Sequence, residues 1–111
     1  MRKLPNCEQV EVPDRKLTVY LLDHEHPQNK GKAAFYEIVG YTRDNADELK
    51  IALLELVQQY DVTKIVEMEF GKRYVVEGWL PCPNGKSYPL RTVWFISNGE
   101  IIPKLVTAYP N

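Results

Sequence analysis

Leu90-Arg91-Thr92-Val93-Trp94-Phe95-Ile96 and Ile101-Ile102-Pro103-Lys104-Leu105-Val106-Thr107 flank the short segment Ser97-Asn98-Gly99-Glu100. Asn-Gly between two runs rich in β-branched and aromatic residues is the strongest short-range hairpin signal a sequence carries. The stretch therefore predicts two antiparallel strands, Leu90–Ile96 and Ile101–Thr107. A two-residue turn would set Ser97 opposite Glu100, Phe95 opposite Ile102, Trp94 opposite Pro103, Arg91 opposite Val106 and Leu90 opposite Thr107. One sheet face would then carry Leu90, Thr92, Trp94, Leu105 and Thr107, and the other Arg91, Val93, Phe95, Ile102 and Lys104. In that register Arg91 and Thr107 are separated by the sheet, unless a bulge intervenes.

Upstream, the same period of two appears in Val66, Met68 and Phe70, which alternate with Glu67 and Glu69 as a strand with one wet face. Gly71-Lys72 turns the chain into a further strand, Arg73–Leu80. Pro81-Cys82-Pro83-Asn84-Gly85 reads as a loop, because proline has no N–H to give to a ladder. Before residue 61 the period is helical. Leu49, Leu53, Leu56 and Tyr60 form one apolar stripe along Ala46–Tyr60, with Asn45 as N-cap and Glu48 completing a capping box. Lys32–Val39 predicts a second helix stopped by Gly40. Lys16–Leu22 is too short for periodicity to decide between helix and strand. The expected architecture is α+β, with N-terminal helices packed on a four-stranded antiparallel β-meander. Residues 1–15, with Pro5 and Pro13, are expected to form an extended arm, or an edge strand at Cys7–Val12.

The chain has 111 residues, 44% hydrophobic and 26% charged, with a net charge of −1. That length fits a single domain over 1–111, and the hydrophobic share argues against disorder. No apolar run approaches a membrane span and the N-terminus does not read as a signal peptide, so a cytoplasmic protein without membrane contact is expected. Cys7 and Cys82 form no CxxC pair, and neither a P-loop nor a dinucleotide fingerprint occurs, so no cofactor is expected. The average charge hides an asymmetry. Residues 71–111 carry a net of +3, and residues 1–70 a net of −4. A basic sheet half allows a small anion-binding patch, though not a strongly basic field.

Three clusters can carry chemistry. His24 and His26 form an HxH pair, but the chain has no other histidine to help build a zinc site. No metal is expected, and His26 is the candidate for general acid–base work, against the plainer role of packing the following helix. Lys30-Gly31-Lys32 opens a helix where backbone N–H groups favour an anion, and lysines there oppose the helix dipole unless a phosphate is bound. Arg91-Thr92 with Thr107-Ala108-Tyr109-Pro110 gathers a cation, hydroxyls and a phenol near neighbouring strand ends. Trp79, Trp94 and Tyr88 are candidates to stack bases, or else belong to the core.

Two sets of residues then resemble a known family. The first is Lys16-Leu17, Tyr20-Leu21-Leu22, His26-Pro27, Gly31-Lys32-Ala33, Phe35 and Gly40-Tyr41. The second is Gly71, Arg73-Tyr74-Val75-Val76-Glu77-Gly78, Arg91-Thr92-Val93-Trp94 and Leu105-Val106-Thr107-Ala108-Tyr109-Pro110. They resemble a small bacterial domain family of no assigned activity, found alone and at the C-termini of polymorphic toxins. Helices before a meander ending in Val-Thr-Ala-Tyr are also similar to the barnase, EndoU, colicin and RelE group of ribonucleases. The resemblance implies metal-independent RNA cleavage by a toxin-like domain. His26 would act as acid or base, Lys32 and Arg91 as phosphate stabilisers, and Thr107 and Tyr109 as positioning groups. RNA and a cognate antitoxin or immunity protein are the implied partners. The competing expectation is a non-enzymatic, immunity-type or antitoxin-type binding module whose exposed strand edge pairs with another chain.

Overall fold

The alternating sequence from residue 62 onward forms four antiparallel strands: β1 (Val62–Met68), β2 (Gly71–Pro81), β3 (Ser87–Ser97) and β4 (Lys104–Pro110). The structure, a computed structural model, describes residues 2–111. The strands lie in sequence order, so the expected meander and α+β class are observed. Among the described residues three α-helices precede the sheet: α1 (Asp14–Lys16), α2 (Lys32–Val39) and α3 (Ala46–Gln59).

The helical core packs on one face of the sheet. Leu49, Ala52, Leu53, Leu56 and Val57 of α3 and Tyr36 and Val39 of α2 are buried against Tyr74, Val76, Leu80, Leu90, Trp94, Leu105 and Ala108. The three- and four-residue spacing in α3 causes this directly, since it puts the apolar side chains on one stripe. Gly40 ends α2 at φ +107°, as the sequence predicts. A Cβ there would come within 2.8 Å of the Pro83 Cβ, so glycine also admits the β2–β3 loop.

Local geometry departs from the sequence reading at several places and settles Lys16–Leu22, which the reading leaves open, as helical. The capping box sits three residues earlier, where Asn45 Oδ1 accepts from Thr42 N–H at 2.7 Å and Thr42 Oγ1 accepts from Asp44 N–H. Asn45 therefore faces backward, and its amide reaches Gly40 O. Lys16–Leu22 becomes the end of α1 followed by a π-helical turn, Leu17–Leu21, closed by Leu22 N–H to Leu17 O at 2.8 Å. The arm is not extended throughout. It turns at Pro5–Glu8, buries Leu4, Val10 and Val12, and becomes helical at Asp14. β1 starts earlier than expected, and both its faces are wet after Val62.

The largest departure is the register of β3 and β4. The Asn98-Gly99 turn forms, with Glu100 N–H on Ser97 O at 2.9 Å, but only Gly99 has positive φ. A turn of that kind splays the strands, whereas the primed turn that continues a hairpin needs positive φ at both central residues. Residues 100–103 leave the ladder, and pairing resumes at Lys104 opposite Phe95. The register then shifts: Trp94 faces Leu105, but Val93 faces Thr107, leaving Val106 as a bulge. Beyond it Thr92 faces Ala108 and Arg91 faces Tyr109. Thr107 and Tyr109 thus share the sheet face of Arg91 and not the core face of Trp94.

Among the described residues no helix is long and apolar enough to cross a membrane.

Candidate functional site

Tyr20 is the residue around which the sequence candidates gather. The π-helical turn carries it to the β4 edge, where its hydroxyl lies 2.9 Å from Thr107 Oγ1. π-Helical turns are rare and occur often at functional sites, since the extra residue redirects one side chain. The Lys16 and Lys32 ammonium groups lie 5.4 and 5.6 Å from the Tyr20 ring centroid, within cation–π range. The His26 ring meets Tyr20 edge-on at 5.1 Å. Lys32 also lies 5.8 Å from the Tyr109 ring. His26, Lys32, Thr107 and Tyr109 are therefore neighbours through Tyr20 and Lys32, and each is half-buried.

Asn29 holds this arrangement together. It is one of the few buried polar residues, and its amide N–H groups bond the carbonyls of Tyr20 and Leu21 at the end of the π-turn. Its Oδ1 accepts from Ala33 N–H at 2.8 Å, in the first turn of α2. One side chain thus fixes Tyr20 relative to Lys32. The same bonds correct the expectation that the α2 N-terminus is an open anion site: Ala33 N–H is occupied by the Asn29 side chain and Lys32 N–H by Asn29 O. The anion-binding capacity lies in the lysine side chains instead.

Two hollows flank this row. A groove of about 440 Å³ is lined by Lys16, Tyr20, His26, Gln28, Val106 and Thr107 among others. A smaller one of about 340 Å³ is lined by Lys30, Lys32, Phe35 and Tyr109. Arg91 lines neither. Its Nε and Nη2 both reach Glu77 Oε2 at 2.9 Å, and it meets the groove only through its β4 neighbour Tyr109. Contact with Tyr109, then the Glu77 bond, hold the guanidinium above its ordinary pKa.

His26 Nδ1 accepts from Gln28 N–H at 3.1 Å, which selects the neutral ring with its hydrogen on Nε2. Tyr20 and Thr107 share one hydrogen bond, so one hydroxyl hydrogen of the pair is left to donate to a ligand. The Lys16 ammonium, an imidazole and a spare hydroxyl donor line one groove, with the Lys32 ammonium in the neighbouring hollow, a set that suits an oxyanion.

The other HxH histidine is elsewhere. His24 pairs with Glu37 at 3.2 Å in a separate hollow of about 440 Å³ where Arg43 pairs with Asp23. Glu25 and Asp44 line it as well, so that hollow is acidic and unsuited to an anion. Among the described residues no group of three or more His, Cys, Asp or Glu is placed to hold a metal. Both cysteines are free, and burial pushes the Cys82 thiol up to about 11. Of the aromatic candidates, Trp94 is fully buried with its indole N–H on Thr92 Oγ1, Tyr88 packs edge-on to Phe35, and Trp79 is exposed.

Sequence reasoning missed Tyr20, Lys16 and Asn29. The spacing of Lys16 and Tyr20 was readable as a helical pair, but nothing in the sequence marks the π-turn that aims them at β4.

A chain of a contact-dependent growth inhibition toxin–immunity protein complex from Klebsiella pneumoniae 342 has the same fold. The likeness has a TM-score of 0.71 at 14% identity, covering 90% of this chain and 98% of that one. No curated protein matches the sequence. Residues 3–111 match the family described as Domain of unknown function (DUF6883).

Proposed function

Since the chain belongs to the DUF6883 family, and since its lysines and hydroxyls meet at one strand edge, we propose that it is a metal-independent endoribonuclease of a bacterial toxin–immunity or toxin–antitoxin system. The observation that carries this reading is the meeting of Lys16, Lys32 and His26 on Tyr20, whose hydroxyl is bonded to Thr107. The fold shared with a chain of a growth inhibition toxin–immunity complex supports the biological setting.

In this reading a phosphodiester of RNA lies in the groove lined by Lys16 and Tyr20. His26 Nε2 takes the proton of the ribose 2′-hydroxyl, and that oxygen attacks the adjacent phosphorus. The bond from phosphorus to the 5′-oxygen breaks, and the leaving oxygen takes the proton back from His26. A 2′,3′-cyclic phosphate and a 5′-hydroxyl result. Lys16, which lines the groove, stabilises charge on the non-bridging oxygens, and Lys32, which lines the neighbouring hollow, adds positive charge beside them. Thr107 and Tyr20 position the phosphate, and Arg91 holds Tyr109 beside Lys32.

One feature of His26 opposes this role and its size can be judged. Accepting a proton at Nε2 requires the hydrogen on Nδ1, which gives up the Gln28 bond. Such a bond contributes about 1 kcal/mol, or roughly fivefold in rate. General acid–base catalysis supplies about 10²–10⁴-fold. The bond is a small tax on a larger gain.

A second reading is favoured by one observation. After the Val62 N–H bond to Arg2 O, no described residue pairs with the outer edge of β1, and Ile65, Met68 and Phe70 beside it are exposed. An immunity-type module could receive a partner strand there. Expression in a bacterial host, with total RNA analysed, separates the two. Growth arrest with RNA fragmentation that is lost in Lys32→Ala supports the nuclease. Harmless expression together with protection against a toxin overturns it in favour of the binding module.

A further inference from the structure

Trp79 lies on β2, an interior strand, yet is 56% exposed. A lone exposed apolar side chain is ordinary and needs no explanation. Its surroundings make this one different. It stands on the same sheet face as Glu77, Arg91 and Tyr109, because Glu77 pairs with Arg91 and Arg91 pairs with Tyr109. Arg91 and Trp79 are diagonal cross-strand neighbours, a relation that places Cβ atoms about 7–8 Å apart, within reach of long and aromatic side chains. From Tyr109, which borders the Lys32 hollow, to Trp79 is two strand spacings across and two residues along, roughly 12 Å.

The indole is also kept uncovered. Its cross-strand partner on the same face is Pro89, which has no long side chain to fold over it. The nearest candidate to cap it, Arg91, is held by Glu77 at 2.9 Å. The result is a flat aromatic face next to a fixed cation, continuous through Tyr109 with the lysine-lined groove. Base–aromatic stacking needs such a face and tolerates any base.

We propose that Trp79 is the stacking platform for a nucleobase flanking the phosphodiester bound at Lys16 and Lys32, which makes single-stranded RNA the substrate class. This rests on the nuclease reading above. A duplex would keep its bases stacked on one another, so the platform selects strands whose bases are free.

The test uses a 2′-O-methyl hexanucleotide, which binds without being cleaved, and an abasic backbone of the same length. The chain has two tryptophans, and Trp94 is fully buried, so ligand-dependent emission changes report Trp79. The hexanucleotide is expected to quench emission and to bind about tenfold or more tighter than the abasic backbone. Trp79→Ala should bind both ligands at the abasic affinity, and Trp79→Phe should keep the preference. Lys32→Ala should weaken both ligands alike. Equal binding of the two ligands by the wild type, with unchanged emission, overturns the platform and leaves the phosphate site standing. If neither ligand binds, the platform and the nuclease reading fall together.

Discussion

Tyr20 Oη and Thr107 Oγ1 are joined at 2.9 Å across 87 positions of sequence, one on a π-helical turn and the other just past a β-bulge. Neither irregularity alone would bring the two hydroxyls together. Without the extra residue at Val106, Thr107 would lie on the core face. The bond is part-buried and neutral, so its removal should cost about 1 kcal/mol. Tyr20→Phe and Thr107→Val should each lower the unfolding free energy in urea by that order, and the double variant should lose less than the two together. Simple additivity would show that the hydroxyls are not coupled in solution.

Asn29→Ala should be the most destabilising substitution near the groove. It removes two bonds to the Tyr20 and Leu21 carbonyls and one from Ala33 N–H, the first part-buried and the other two buried. The expected loss is about 3 kcal/mol, most of it from backbone groups left without partners. Equilibrium unfolding in urea measures it. A loss under about 1 kcal/mol would mean that water replaces the side chain and that Asn29 does not fix Tyr20.

Lys16 and Lys32 should contribute separately to polyanion affinity. Removing either one should reduce the slope of log affinity against log salt by about one. Binding of an uncleavable oligonucleotide at several salt concentrations gives the slope. Lys72→Ala, on the far side of the sheet at an ion pair with Glu67, is the control that should leave it unchanged.

Two buried phenols set the alkaline limit of the fold. Burial, with the Cys82 thiol adding to it, raises Tyr41 to about 12 and carries Tyr36 higher still. The unfolded chain loses these protons near 10. Both groups therefore support stability fully below pH 10, and that support falls as pH rises from 10 through the folded values. Tyr36 Oη also donates to Ala108 O at 2.7 Å and Tyr41 Oη to Pro81 O at 2.7 Å, bonds that ionisation would remove. Urea midpoints between pH 8 and 11 should be level and then decline, less steeply in Tyr36→Phe. A flat profile to pH 11 would contradict it.

The elements were legible wherever one physical cause dominated. The α3 stripe from Leu49 to Leu56, the Gly40 stop and the four alternating segments each follow from side-chain period or backbone freedom, and each is present. What the sequence concealed depends on small energy differences between backbone alternatives. Asn98-Gly99 fits both a primed turn and the splayed turn observed, and the choice moves every partner of β4. Nor does any residue type announce the bulge at Val106. Of the candidate residues, His26, Lys32, Thr107 and Tyr109 meet, but their centre, Tyr20, sits in a segment too short for its period to be read. Arg91, expected as a phosphate contact, is engaged with Glu77 and lines neither hollow.

The most direct measurement is cleavage of a fluorescent single-stranded oligoribonucleotide in excess EDTA, followed by analysis of the product ends. The wild type should cut it to a 2′,3′-cyclic phosphate and leave the 2′-deoxy counterpart intact. His26→Ala should slow cutting by about 10²-fold or more. An intact oligoribonucleotide, or equal cutting by wild type and His26→Ala, would contradict the account.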